Sequence, residues 1–114
     1  MLNIDEDNNI TLTRGDSAVL ELDIKDDGAT YDFSSDLVQL TVKRNTVTET
    51  VIFQKTFTSG VVLIEPSDTS NLQYTDLKFD VQLIKAGGGG VFTVIPPRKF
   101  TIAEEVNFNV EGNT

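Results

Sequence analysis

Apolar side chains recur at every second position in one segment after another, the spacing that places them on a single face of a β-strand. Ile10 and Leu12 begin the pattern, and Leu20, Leu22 and Ile24 resume it after Arg14-Gly15-Asp16-Ser17. A pair of early strands is expected there. Lys25-Asp26-Asp27-Gly28 is a turn signal, because Asp tolerates and Gly favours the positive backbone angles of tight hairpins. Tyr31 and Phe33 are in phase for a short strand beyond it. Val38, Leu40 and Val42 alternate with Gln39, Thr41 and Lys43, and Val51, Phe53, Lys55 and Phe57 repeat the step until Ser59-Gly60 interrupts it.

Val61-Val62-Leu63-Ile64-Glu65 is a further strand candidate, ended by Pro66, which has no N–H to give to a ladder. Pro66-Ser67-Asp68-Thr69-Ser70-Asn71-Leu72 reads as one short helical turn that Ser67 or Asp68 can cap, and it is the single helix expected. Leu77, Phe79, Val81 and Leu83 give the clearest alternation, so this strand is predicted to cross the core. Gly87-Gly88-Gly89-Gly90 reads as a mobile hairpin tip. Val91 to Ile95 returns from it, Pro96-Pro97 sets an extended corner, and Phe100-Thr101-Ile102 and Val106-Asn107-Phe108-Asn109-Val110 complete the set.

Roughly seven to nine short strands with no amphipathic helix predict an all-β fold, a two-sheet antiparallel β-sandwich with one short helical turn. No linker interrupts the pattern, so residues 1–114 are read as one domain, with the polar, acidic ends 1–9 and 111–114 expected to fray.

Composition narrows the chemistry. The chain has 114 residues, 39% of them hydrophobic, with seven Phe spread along it, enough for one real core. Lys and Arg number 9 against 18 Asp and Glu, a formal net charge of −9, which repels phosphate backbones and anionic lipid. Neither nucleic acid nor membrane is therefore an expected partner. There is no Cys and no His, and the lack of Cys removes disulfides, thiolate nucleophiles and thiolate metal sites. No apolar run approaches the ~20 residues of a membrane span, and the acidic opening lacks the basic start of an export signal.

The motifs that stand out have plain structural readings. Arg14-Gly15-Asp16 spells an integrin-type tripeptide but falls where a strand connection needs a turn. Asp5, Asp7, Asn9 and Asp16 match four places of a calcium loop, yet Ile10 stands where that loop requires Gly and Asp16 is shorter than the usual bidentate Glu. The glycine run lacks the Lys-Ser/Thr of a phosphate cradle. Most acids lie in turns or on the polar phase of strands, Asp80 being the least exposed by its position, and no catalytic pairing can be named. No catalytic, cofactor-binding or metal-binding residue is assigned, and the chain is read as a non-enzyme without a cofactor.

Ile10-Thr11-Leu12-Thr13-Arg14-Gly15-Asp16-Ser17, Tyr31-Asp32-Phe33 and Val38-Gln39-Leu40-Thr41-Val42-Lys43 carry a resemblance that continues in Ile64-Glu65-Pro66-Ser67-Asp68-Thr69 and Lys78-Phe79-Asp80-Val81-Gln82-Leu83. Val94-Ile95-Pro96-Pro97 and Phe100-Thr101-Ile102 close it. In this order the segments resemble small phage and prophage virion proteins of Gram-positive hosts, including the N-terminal domain of baseplate upper proteins. The resemblance implies an immunoglobulin-like sandwich that attaches to a virion part, in tail, baseplate or head. It implies other virion proteins or copies of itself as partners, oligomers among the expected forms, and synthesis in the host cytoplasm before incorporation in the virion. The alternative is a carbohydrate- or protein-binding module of a bacterial cell surface. Against it stand the few aromatics expected at the surface, Tyr31 and Tyr74.

Overall fold

In the computed structural model, which describes residues 2–73 and 75–104, the alternating segments become strands. They are β1 (Leu2–Ile4), β2 (Ile10–Thr13), β3 (Ala18–Glu21), β4 (Lys25–Asp26), β5 (Ala29–Thr30), β6 (Leu37–Lys43), β7 (Val51–Thr56) and β8 (Val61–Ile64). A helical turn α1 (Pro66–Thr69) precedes β9 (Thr75–Ile84), and a 3-10 turn at Ala86–Gly88 leads into β10 (Val91–Ala103). The strand expected at Val106, Phe108 and Val110, the end 111–114 and Tyr74 lie outside the described residues.

A six-stranded sheet in the order β1-β2-β10-β9-β6-β7 faces the two-stranded sheet β3-β8, and β4-β5 is a separate small hairpin. The all-β sandwich follows from these pairings.

Alternation explains why the layers close. Val38, Leu40 and Val42 of β6 and Leu77, Phe79, Val81 and Leu83 of β9 are buried, and they meet Ala18, Leu20, Val62 and Ile64 of the small sheet in one core. Phe100 sits fully buried at its centre, with Phe53 edge-on at 5.8 Å and Phe79 edge-on at 6.0 Å between ring centroids. Such T-shaped contacts add to the burial energy of the rings.

The antiparallel expectation fails in one place. β2 and β10 run parallel, with Ile10 opposite Phe100 and Thr13 opposite Ala103. No hairpin joins these two, which come from opposite parts of the chain, so nothing in the connection forces an antiparallel pair. Val91–Ala103 is also one strand of 13 residues where two were expected. Pro96 and Pro97 fit because the register against β9 shifts on either side of Ile95, and pairing with β2 starts only at Phe100.

Smaller differences have equally local causes. Tyr31 and Phe33 form no strand: Tyr31 N–H donates to Ile24 O at 2.8 Å just beyond the β4-β5 hairpin. Glu65, not Ser67 or Asp68, is the N-cap of α1, and Asp68 Oδ2 accepts from Glu65 N–H at 2.7 Å. The Ala86–Gly88 turn is a second helical element beside the one expected. Residues 2–9 form a hairpin where fraying was expected: Leu2, Asn3 and Ile4 pair with Leu12, Thr11 and Ile10.

Candidate functional site

The motifs marked in the sequence are absorbed by the fold. Arg14 N–H donates to Ala103 O at 2.7 Å and its guanidinium to Leu72 O at 3.0 Å, while Gly15 N–H donates to Thr69 Oγ1 at 2.8 Å. Gly15 has φ 82°, open to glycine at little strain. The tripeptide thus clamps the β2-β3 connection onto α1, and all three of its residues are half-buried. Thr69, fully buried, is the polar anchor of that clamp.

Asp5 closes the β1-β2 hairpin. Its Oδ1 accepts from Asp7 N–H and Asn9 N–H, both at 2.9 Å, and its Oδ2 accepts from Asn9 Nδ2 at 3.0 Å. The Asn9 side-chain bond, followed by the Asn9 backbone N–H, holds the Asp5 carboxyl below its ordinary value. These oxygens serve as a turn brace. Among the described residues no three His, Cys, Asp or Glu side chains converge as a metal site, and no helix is long and apolar enough to cross a membrane.

The glycine tip has company. Lys85 Nζ stands 5.1 Å from the Tyr31 ring centroid and 5.8 Å from that of Phe92, a cation between two aromatic faces. Tyr31, expected exposed, is half-buried, and its hydroxyl donates to Asp36 Oδ2 at 2.8 Å. Ala86 N–H donates to Asp36 Oδ1 at 3.1 Å. That amide first, and the tyrosine hydroxyl second, keep the Asp36 carboxyl below its usual value.

Two open grooves accompany these turns. One, of about 470 Å³, lies among Leu22, Tyr31, Phe33 and Phe57, with Asp32 and Asp36 on its wall. The other, of about 270 Å³, lies on the outer face of the large sheet, around Thr41, Lys43, Gln54, Lys78 and Asp80. Burial raises the proton affinity of Asp80, and the charge of Lys43 works against that rise.

The surface least explained by folding is the outer face of the β3-β8 sheet. Val19 stands directly opposite Leu63, and Glu21 opposite Val61. Val19 is 55% exposed, Leu63 51% and Val61 38%. Among the described residues each strand of this sheet has one partner, so a backbone edge lies beside the apolar row.

Compared with family models, characterised proteins and solved structures, the chain shows no significant match.

Sequence reasoning passed over this face, although a signal was present. Val61-Val62-Leu63-Ile64 is a continuous apolar run, the pattern of a strand covered on both sides, and Val19-Leu20 is a shorter piece of the same kind. The fold covers one side and leaves the other in water.

Proposed function

We propose that the chain is a non-catalytic structural or adapter protein of a phage or prophage particle, working through contacts with other virion proteins or with copies of itself. The observation that carries this reading is the apolar outer row Val19, Leu63 and Val61 beside strand edges that no described residue pairs. Exposed apolar side chains grouped on one face favour a protein partner that covers them, and a free edge offers backbone pairing to the same partner. The resemblance in turn and strand order supplies the setting. The groups that elsewhere do chemistry are used here as braces: Asp5 and Asp36 hold turns, and Asp80 has Lys43 as its charged influence.

One observation favours the competing reading, a cell-surface binding module. The groove among Tyr31, Phe33 and Phe57 combines aromatic rings with the carboxylates of Asp32 and Asp36, groups that suit a sugar ring and its hydroxyls.

Co-purification with the products of adjacent genes, done at high salt where exposed charges are screened, separates the two. The adapter reading expects a stable complex with a tail or capsid component, lost in the Val19→Lys/Leu63→Lys double variant at unchanged melting temperature. A protein that ignores those products and binds a cell-wall glycan with micromolar affinity would establish the module instead.

A further inference from the structure

The outer face of the large sheet changes character row by row. Leu37, Ile84 and Val91 stand side by side on β6, β9 and β10, followed by Gln39, Gln82 and Thr93. Thr41 and Asp80 come next, with Gln54 Nε2 donating to Thr41 Oγ1 at 2.9 Å. The row after that is Lys43, Lys78 and Lys99, each directly opposite its neighbour. Like charges in that position destabilise a sheet.

The chain has twice as many acids as bases, yet it does not neutralise this row. Lys55 pairs with Asp68 at 2.8 Å and Lys25 with Asp23 at 3.3 Å, whereas Lys43, Lys78 and Lys99 make no ion pair among the described residues. The nearest acids on the face form no ion pair with the row, although the charge of Lys43 acts on Asp80. Asp76 Oδ1 accepts from Thr101 Oγ1 at 2.8 Å, and burial makes Asp80 a weaker acid. Arg44 extends the basic end of β6, and Asn45, Thr46 and Pro97 wall the groove above Lys43 and Lys78.

The other end of β6 is the reverse. Asp36 precedes its first residue, and Glu21, Asp23, Asp26, Asp27 and Asp32 surround the turns there against Lys25 and Lys85. Six residue steps along a strand separate the two ends by about 20 Å, beyond the ~8 Å screening length at physiological salt. The two charges cannot answer each other within one molecule.

We infer that the lysine row of one copy docks on the acidic turns, residues 23–36, of a second copy, so that copies associate head to tail. The inference rests on the reading that the chain acts through protein contacts, and it names one such partner. A heterologous contact of this kind repeats into a ring or a fibre. A nucleic acid is a poor occupant, because Asp76 and Asp80 flank the row and the net charge of −9 repels an extended phosphate chain.

Sedimentation velocity across a salt series tests this. The average mass is expected to rise with concentration at low salt and to return to monomer at about 0.5 M salt, where the screening length falls below ~5 Å. Lys43→Glu/Lys78→Glu and Asp23→Lys/Asp32→Lys should each stay monomeric, and an equal mixture of the two should associate again. Lys43→Gln/Lys78→Gln serves as a milder variant if reversal disturbs folding, with unfolding midpoints checked for each. Monomer at every salt, association indifferent to salt, or a mixture that stays monomeric would overturn the inference. Capture of polyglutamate by a wild type that never self-associates would overturn it too, giving the row to a different acidic partner. Since the adapter test is run at high salt on the apolar row, failure here leaves that reading standing.

Discussion

The two sheets share one core but present opposite outer faces. On the large sheet β6 and β9 alternate strictly, with buried Val38, Leu40, Val42, Leu77, Phe79, Val81 and Leu83 inside and, beyond the Leu37–Ile84 pair at one end, amides, hydroxyls, carboxylates and lysines outside. On the small sheet both phases are apolar, with Ala18, Leu20, Val62 and Ile64 inside and Val19, Val61 and Leu63 outside. Strict alternation fixes register, because a slip of one residue would turn the core outward. The small sheet lacks that safeguard. An isolated pair of strands is marginal in water, so β3-β8 depends on the shared core, on the Thr69–Gly15 bond and on the Lys55–Asp68 pair that ties β7 to α1. Its outer side chains Val19, Val61 and Leu63 stand largely in water and add little to the shared core.

The comparison breaks most visibly at the core. Phe79→Ala should cost about 3–5 kcal/mol in urea unfolding, and Phe100→Ala no less, since Phe100 touches both Phe53 and Phe79. A loss for Phe79→Ala below about 1 kcal/mol would take β9 out of the core, because even modest cavities usually exceed that.

Next in size is the polar anchor of the small sheet. Thr69→Val keeps shape but removes the oxygen that accepts from Gly15 N–H, leaving a shielded donor unpaired, with an expected loss of about 1–3 kcal/mol by the same measurement. A neutral result would mean that water reaches Gly15 and that the clamp is dispensable.

The outer apolar row should respond in the opposite sense. Val19→Thr and Leu63→Thr are each expected to change stability by no more than about 0.5 kcal/mol, as exposed substitutions do, while weakening any complex that covers this face. Losses as large as the core values would show that the row is folding surface after all.

Much of this was legible in the sequence, and the limits are physical. Asp27-Gly28 and Ser59-Gly60 read as turns, and both pairs adopt positive φ, at 51° and 80° and at 52° and 78°. β9 read as a core strand and is one. Pattern assigns residues to faces, however, and does not choose partners, so the parallel β2-β10 pair was invisible. A bulge defeats pattern altogether: Val51 shares the phase of Phe53, yet the shift beside Val42 sets it opposite Lys43 on the outer groove, and Ile52 packs against the core instead. The lysine row could not be read either. Lys43, Lys78 and Lys99 are far apart in the chain, and only the register of three strands aligns them.

The smallest effect concerns the polar outer face of the large sheet and compares Asp80 with the turn aspartates. In Asp36 the folded carboxyl is a stronger acid than the ordinary value of 3.8, because Ala86 N–H and the Tyr31 hydroxyl favour its charge. Its contribution is therefore full above 3.8 and is lost as pH falls through the lowered folded value. Asp32, lowered first by the Ser34 N–H and then by its hydroxyl, and Asp5 behave alike. Asp80 has the reverse sign. Burial raises its folded value, so the native state holds the proton more tightly, and a penalty appears as pH rises from 3.8 through the raised value. Asp80→Asn removes a charge that burial disfavours and should be slightly more stable than wild type at about pH 7, the gain vanishing near pH 3 where both side chains are neutral. Asp36→Asn should be less stable at about pH 7 and likewise converge with wild type in acid. Urea unfolding of the three proteins at the two pH values reads both signs. If Asp80→Asn were instead destabilised at neutral pH, attraction to Lys43 would outweigh burial, and the lysine row would have a partner within its own chain.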